Sequence, residues 1–138
     1  MNRQRVRDML VKHEGIRLHP YRCPAGKLTI GIGRNIEDAG ISEKEAFYLL
    51  DNDINECIGD LSKNLFPFSF DLLPGPVQEV LVSMRFQLGA GGFRGFKKMI
   101  RAVREQDWPG MVREMRDSNW HDQVPKRADE LIGIIEGL

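Results

Sequence analysis

The stretch YRCPAGKLTIGIG, residues 21–33, decides how the chain around it folds. Pro24 and Gly26 stand where a type I turn followed by a left-handed glycine needs them, so the segment reads as a hairpin with a three-residue loop. In that register Cys23 faces Lys27, Arg22 faces Leu28 and Tyr21 faces Thr29. A period of two then sets Tyr21, Cys23, Lys27, Thr29, Gly31 and Gly33 on one face and turns Leu28, Ile30 and Ile32 toward a core. Cys23 and Thr29 become diagonal neighbours, about 7–8 Å apart at Cα. Glycines in a strand mark close approach by a ligand or another backbone, or a strained corner, and spacing alone leaves both readings open.

Upstream, Val6, Met9, Leu10 and His13 recur at helical spacing within residues 3–14, and Gly15 fits the position just past a helix end. Glu14 therefore sits at the negative end of a helix dipole, and partial burial there would raise its pKa toward that of a general acid. An exposed glutamate at a fraying helix end fits the same residues. Downstream, residues 35–42 form a loop, and Ser42 with Glu45 makes an S-x-x-E capping box. Ala46, Leu50, Ile54, Cys57, Ile58, Leu61 and Leu65 then share one stripe of a helix about 20 residues long, enough to connect two lobes. Residues 66–76 are a turn-rich joint, after which Pro76 opens a helix carrying Val77, Val80, Leu81, Met84 and Leu88 that closes at Gly89. Further helices are expected over Phe93–Val103, Asp107–Met115 and Pro125–Ile135. The expected class is α+β, mostly helical, with one small antiparallel sheet near the N-terminus.

The chain has 138 residues, enough for one domain or one domain in two lobes, and 41% hydrophobic with 29% charged residues reads as an ordinary globular protein. Lys plus Arg equals Asp plus Glu at 20 each, so overall charge offers no argument for nucleic acid. Cys23 and Cys57 are too few for a disulfide scaffold, and reduced thiols are the default. Cys57 lies on the apolar stripe and reads as a small buried hydrophobe. The N-terminus shows no signal-peptide pattern and no window approaches a membrane span, so the expectation is a product made in the cytoplasm without stable membrane insertion. His13, His19 and His121 lack metal-ligand spacing, and neither metal nor cofactor is expected. Trp108 and Trp120 read as core aromatics. Arg94, Lys97, Lys98, Arg101 and Arg104 form a basic stretch whose ordinary reading is a solvated helix face, with attraction to anionic cell-wall polymers as the functional one.

The segment HEGIRLHPYRCPAGKLTIGIGRN (13–35) resembles the active-site segment of the phage-type lysozymes, the endolysin family. The resemblance resumes in MRFQLGAGGFRGF (84–96), at Trp108 and in SNWHDQVPKRA (118–128), in the family's order. It implies a single lysozyme domain, 1–138, with a sheet lobe at about 13–45 and a helical lobe formed by about 62–138 plus the N-terminal helix, the cleft lying between the lobes. It implies hydrolysis of the β-1,4 bond between N-acetylmuramic acid and N-acetylglucosamine in peptidoglycan. The family's catalytic Glu falls on Glu14 and its Thr on Thr29, while its usual Asp falls on Cys23. Arg127 matches an arginine that lies beside the catalytic glutamate, and Phe86 and Gln87 match residues that bind substrate.

The departure at Cys23 opens three roles. With Thr29 the thiol could hold or deprotonate the attacking water, giving inversion, aided by Lys27 opposite lowering its pKa. It could attack the sugar, giving retention. It could be inert. The primary reading is an endolysin muramidase, monomeric by default, acting on glycan strands after holin-type release. A catalytically impaired peptidoglycan-binding protein and a lytic transglycosylase of the same fold are the alternatives.

Overall fold

The computed structural model describes residues 1–138, which divide into two compact units, Met1–Tyr48 and Leu49–Leu138. The architecture is a mostly helical α+β fold with seven α-helices and one three-stranded antiparallel sheet of order β1-β2-β3.

In the first unit, α1 spans Arg3–Glu14, with Asn2 as N-cap accepting from the Arg5 amide, and Gly15 ends it. The strands are β1 (Arg17–Arg22), β2 (Leu28–Gly31) and β3 (Arg34–Asn35). The hairpin register is the one its turn residues dictate: Tyr21 pairs with Thr29 and Arg22 with Leu28. The Cys23 amide donates to the Lys27 carbonyl at 3.0 Å and the Gly26 amide to the Cys23 carbonyl at 2.8 Å, which closes the turn.

The period of two does not run on to Gly33. Gly31 and Gly33 take φ of 71° and 65°, so β2 stops at Gly31 and the chain reverses through Ile32–Gly33 into β3, where Ile30 pairs with Arg34. A side chain with Cβ is disfavoured at such angles, which is why glycine occupies both positions. The expected inward face is corrected accordingly: Leu28 and Ile30 are half-buried, Ile32 is exposed, and the buried hairpin side chain is Thr29. β1 also carries an irregularity between Arg17 and Tyr21, beside Pro20, which has no amide proton to give a ladder.

The capping box at the start of α2 (Glu43–Asp60) is complete: the Glu45 amide donates to Ser42 Oγ and the Ser42 amide to Glu45 Oε1. Arg34 also donates to Glu45 Oε1 at 2.9 Å, and it is this hydrogen bond first, then the Ser42 contacts, that holds the Glu45 carboxyl at about 2. The helix crosses from the first unit into the second. Along its stripe Ala46 is exposed, Leu50 and Ile54 are half-buried and Cys57 is buried, while Ile58 beside it is exposed. A single π-helical turn, Leu61–Leu65, continues it, with both leucines buried.

The second unit holds the hydrophobic core, contributed by Leu61, Phe66, Phe70, Met84, Phe93, Met99, Met111, Trp120, Ile132 and their neighbours. Each such side chain taken fully out of water is worth about 1.5–3 kcal/mol. The helices around it are α3 (Gly75–Arg94), α4 (Lys97–Arg104), α5 (Trp108–Arg116), α6 (Asn119–Gln123) and α7 (Pro125–Glu136). The expected closure at Gly89 is a break inside α3, at φ 73° and ψ 173°. Where α2 meets the core, Asp60 accepts from Arg85 Nε at 2.7 Å, Arg94 Nη2 at 2.6 Å and Asn64 Nδ2 at 2.7 Å. Burial pushes this carboxyl up, but the three donors outweigh that and hold it at about 2. A depressed folded-state pKa gives stability that is full above the unfolded carboxyl's value of about 3.9. That stability is lost as pH falls toward about 2. Urea unfolding of Asp60→Asn should therefore show lower stability at neutral pH and a flatter decline below pH ~4 than the parent chain. Parallel pH profiles for the two would contradict the assignment.

Candidate active site

Three of the expected site residues lie in the first unit. Glu14 is the last residue of α1 and is exposed, so the partial burial expected of it is not found. Its position is nonetheless constrained. A Cβ placed on Gly33 would stand 2.9 Å from Glu14 Oε2 and 3.0 Å from Cδ, so the carboxyl occupies the space that the glycine leaves. The turn that reverses β2 into β3 therefore also seats the end of α1.

Thr29 is 3% exposed, the most buried side chain of the sheet, and its hydroxyl donates to the Lys27 carbonyl at 2.8 Å. Cys23 is half-buried with a free thiol. The thiol's pKa is lowered, chiefly by hydrogen bonding from the Lys27 backbone. Partial desolvation opposes this, and the Ala25 backbone and the Thr29 hydroxyl add to the lowering. The Lys27 side chain was expected to supply this effect, but its ammonium is engaged elsewhere, at 3.3 Å from Asp38 and 3.5 Å from Glu37. What favours the thiolate is the geometry of a tight turn, which aims amide dipoles at the sulfur.

The other three expected residues lie in the second unit. Phe86 is 46% exposed and forms part of the wall of a cavity of about 470 Å³, with Leu50, Ile54, Phe70 and Val82. It is therefore a wall residue rather than a core one. Arg127 lies at the same cavity and donates from Nη2 to the Ser83 carbonyl at 3.3 Å and to Ser83 Oγ at 3.2 Å. Gln87 is exposed, but its amide oxygen accepts from the indole of buried Trp120 at 3.0 Å, which fixes the side chain. Ser83 and Trp120 are positioning residues that sequence reasoning did not assign. Both contacts span more than thirty residues, and no local pattern announces them. No three His, Cys, Asp or Glu side chains gather as metal ligands, and no helix is long and apolar enough to cross a membrane.

Set beside known proteins, the chain matches the phage lysozyme family profile over residues 11–135. It is 26% identical to probable T4-type lysozyme 2 of Dictyostelium discoideum and 27% identical to probable T4-type lysozyme 1 of that organism, in each case over 95% of this chain and 93% of the relative. It is 29% identical to the pre-baseplate central spike protein Gp5 of Enterobacteria phage T4, over 93% of this chain but 27% of that protein. The chemistry at Cys23 can be measured directly. Alkylation by iodoacetamide across a pH series should modify Cys23 with a midpoint below the ordinary thiol value of about 8.5, leaving buried Cys57 as the slow internal control. Thr29→Val should move that midpoint upward. A midpoint at or above the ordinary value would remove the turn's claimed effect.

Proposed function

The chain belongs to the phage lysozyme family, and from that membership we propose that it is a peptidoglycan muramidase cutting the β-1,4 bond between N-acetylmuramic acid and N-acetylglucosamine. Membership supports the muramidase-like activity; the bond and the residues are our reading. The observation that carries it is a thiol of lowered pKa, across the hairpin from a buried threonine hydroxyl, in the same unit as a glutamate seated against Gly33.

In this mechanism Glu14 donates its proton to the leaving glycosidic oxygen. Water attacks the anomeric carbon from the opposite face, positioned by Thr29 Oγ, and its proton passes to the Cys23 thiolate. The glycosidic carbon–oxygen bond breaks as the water–carbon bond forms, and both groups then exchange protons with solvent. The product is the inverted, α, anomer. Phe86, Gln87 and Arg127 enter the proposal from the family pattern, the first two as substrate-binding residues and Arg127 as the partner of the catalytic glutamate. Glycan strands of peptidoglycan are the proposed partner, with the chain acting as a monomer. Host lysis after holin-type release is the proposed setting.

Glu14→Gln should reduce clearing of outer-membrane-permeabilised cells by about 10²–10⁴-fold with the fold intact by circular dichroism. Clearing at the parental rate would contradict the general-acid role, and no clearing by the parent chain would favour a peptidoglycan-binding protein. The base is tested separately. Cys23→Asp should retain activity and shift the acidic limb of the pH–rate profile toward the carboxyl range near pH ~4. An unmoved limb would take Cys23 out of the water-activating role, and initial release of the β-anomer by NMR would replace inversion with retention.

A further inference from the structure

Between the π-helical turn and α3, the joint Phe66–Leu73 is ordered in an unusual way. Phe66, Phe70 and Leu73 are buried, while Phe68 is 100% exposed and Leu72 is 78% exposed. The amides of Ser69 and Phe70 both donate to the Phe66 carbonyl, at 3.1 and 3.0 Å. The Leu73 amide donates to the Phe70 carbonyl, and Gln78 Nε2 donates to that carbonyl as well, at 2.8 Å. The exposure is thus imposed by a fixed backbone with three buried anchors.

Phe68 also stands at φ 63°, immediately after Pro67, in the turn position that calls for glycine or asparagine. A bulky aromatic in the left-handed region is an outlier, and turn chemistry gives no reason for it. Folding gains nothing from the ring, since all of its surface stays in water. Retaining phenylalanine where glycine would fit better points to a use for the ring outside the fold.

The surroundings specify what meets it. Arg104, at the end of α4, donates from Nε and Nη2 to the Leu65 carbonyl and lies over the Phe66 ring. The face of α4 opposite its buried Met99, Ile100 and Val103 carries Lys97, Lys98 and Arg101, all exposed and none in an ion pair. Lys63 is exposed on the π-helical turn; Asp71 lies within the joint and Glu105 follows α4, while Glu114 and Asp117 share a cavity lining with Lys97 and Lys98. A cationic helix whose last residue, Arg104, holds the joint, together with two protruding apolar side chains on that joint, matches an interface with negative headgroups above and acyl chains below. A soluble polyanion would match the cations alone and offer nothing to Phe68 or Leu72.

We propose that the Phe66–Leu73 joint, with the cationic face of α4, is a docking surface for an anionic lipid bilayer, with Phe68 and Leu72 entering the acyl boundary. The association is peripheral and reversible. It does not rest on the muramidase reading.

The test is co-sedimentation of the full chain with vesicles of phosphatidylglycerol and phosphatidylethanolamine, with phosphatidylcholine vesicles and soluble polyphosphate as the other arms. The parent chain should sediment with the anionic vesicles and not the neutral ones, less so as salt rises. Phe68→Gly and Leu72→Ser should each weaken binding at least tenfold, and Phe68→Gly should unfold at the same or higher urea concentration than the parent. Absence of vesicle binding by the parent overturns the proposal. Vesicle binding undiminished in Phe68→Gly, with equal retention of polyphosphate binding, makes the surface a polyanion site instead. A dimer in sedimentation velocity that Phe68→Gly dissolves would make a second copy the occupant, and destabilisation by Phe68→Gly would make the ring structural.

Discussion

The constraint on which the candidate catalytic unit depends is the sign of φ at two glycines. Gly31 and Gly33 carry the backbone through left-handed angles, and between them β2 ends and β3 begins. This reversal keeps β2 to four residues, with Thr29 paired between Tyr21 on one side and Asn35 on the other. The same glycine at 33 leaves the space that the Glu14 carboxyl fills. One local backbone solution therefore shapes the sheet, buries the threonine hydroxyl and seats the glutamate. A methyl group at position 33 would meet both an unfavourable φ and an occupied volume.

The second unit is organised differently. Its core is large and apolar, and the ends of its elements are fastened by side chains distant in sequence. Asp60 gathers two arginines at the end of α2, Arg104 takes the Leu65 carbonyl, and Gln87 holds the Trp120 indole. The Arg85–Asp60 pair is largely buried, so removing Asp60 leaves the Arg85 charge uncompensated, which costs far more than the pair itself adds.

What was legible in the sequence follows from the range of the forces involved. The hairpin register was readable because Pro24 and Gly26 dictate the turn within five residues, and the capping box because Ser42 and Glu45 satisfy each other's amides. The mostly helical α+β class and the kinship with phage lysozymes were likewise legible, the latter because three separated blocks agree in order. The third strand was not, since a strict alternation of side chains carries no information about where φ changes sign. Lys27 was assigned to the thiol because it stands opposite in the hairpin, but Glu37 and Asp38 claim its ammonium from beyond β3. The ordered joint at residues 66–73 read only as turn-rich, because its rigidity comes from buried anchors and from Gln78 reaching back. At the candidate site, the residue assignments are those the family pattern proposes. The cause of the lowered thiol pKa, amide dipoles of the turn, required the fold.

The central claim is that a thiol and a threonine on this hairpin support hydrolysis by water. The measurement that bears on it most directly is mass spectrometry of the muropeptides released from purified peptidoglycan in oxygen-18 water. Hydrolysis predicts reducing N-acetylmuramic acid ends that carry one solvent oxygen. Products ending in 1,6-anhydro-muramic acid without solvent oxygen, or no products at all, would contradict it.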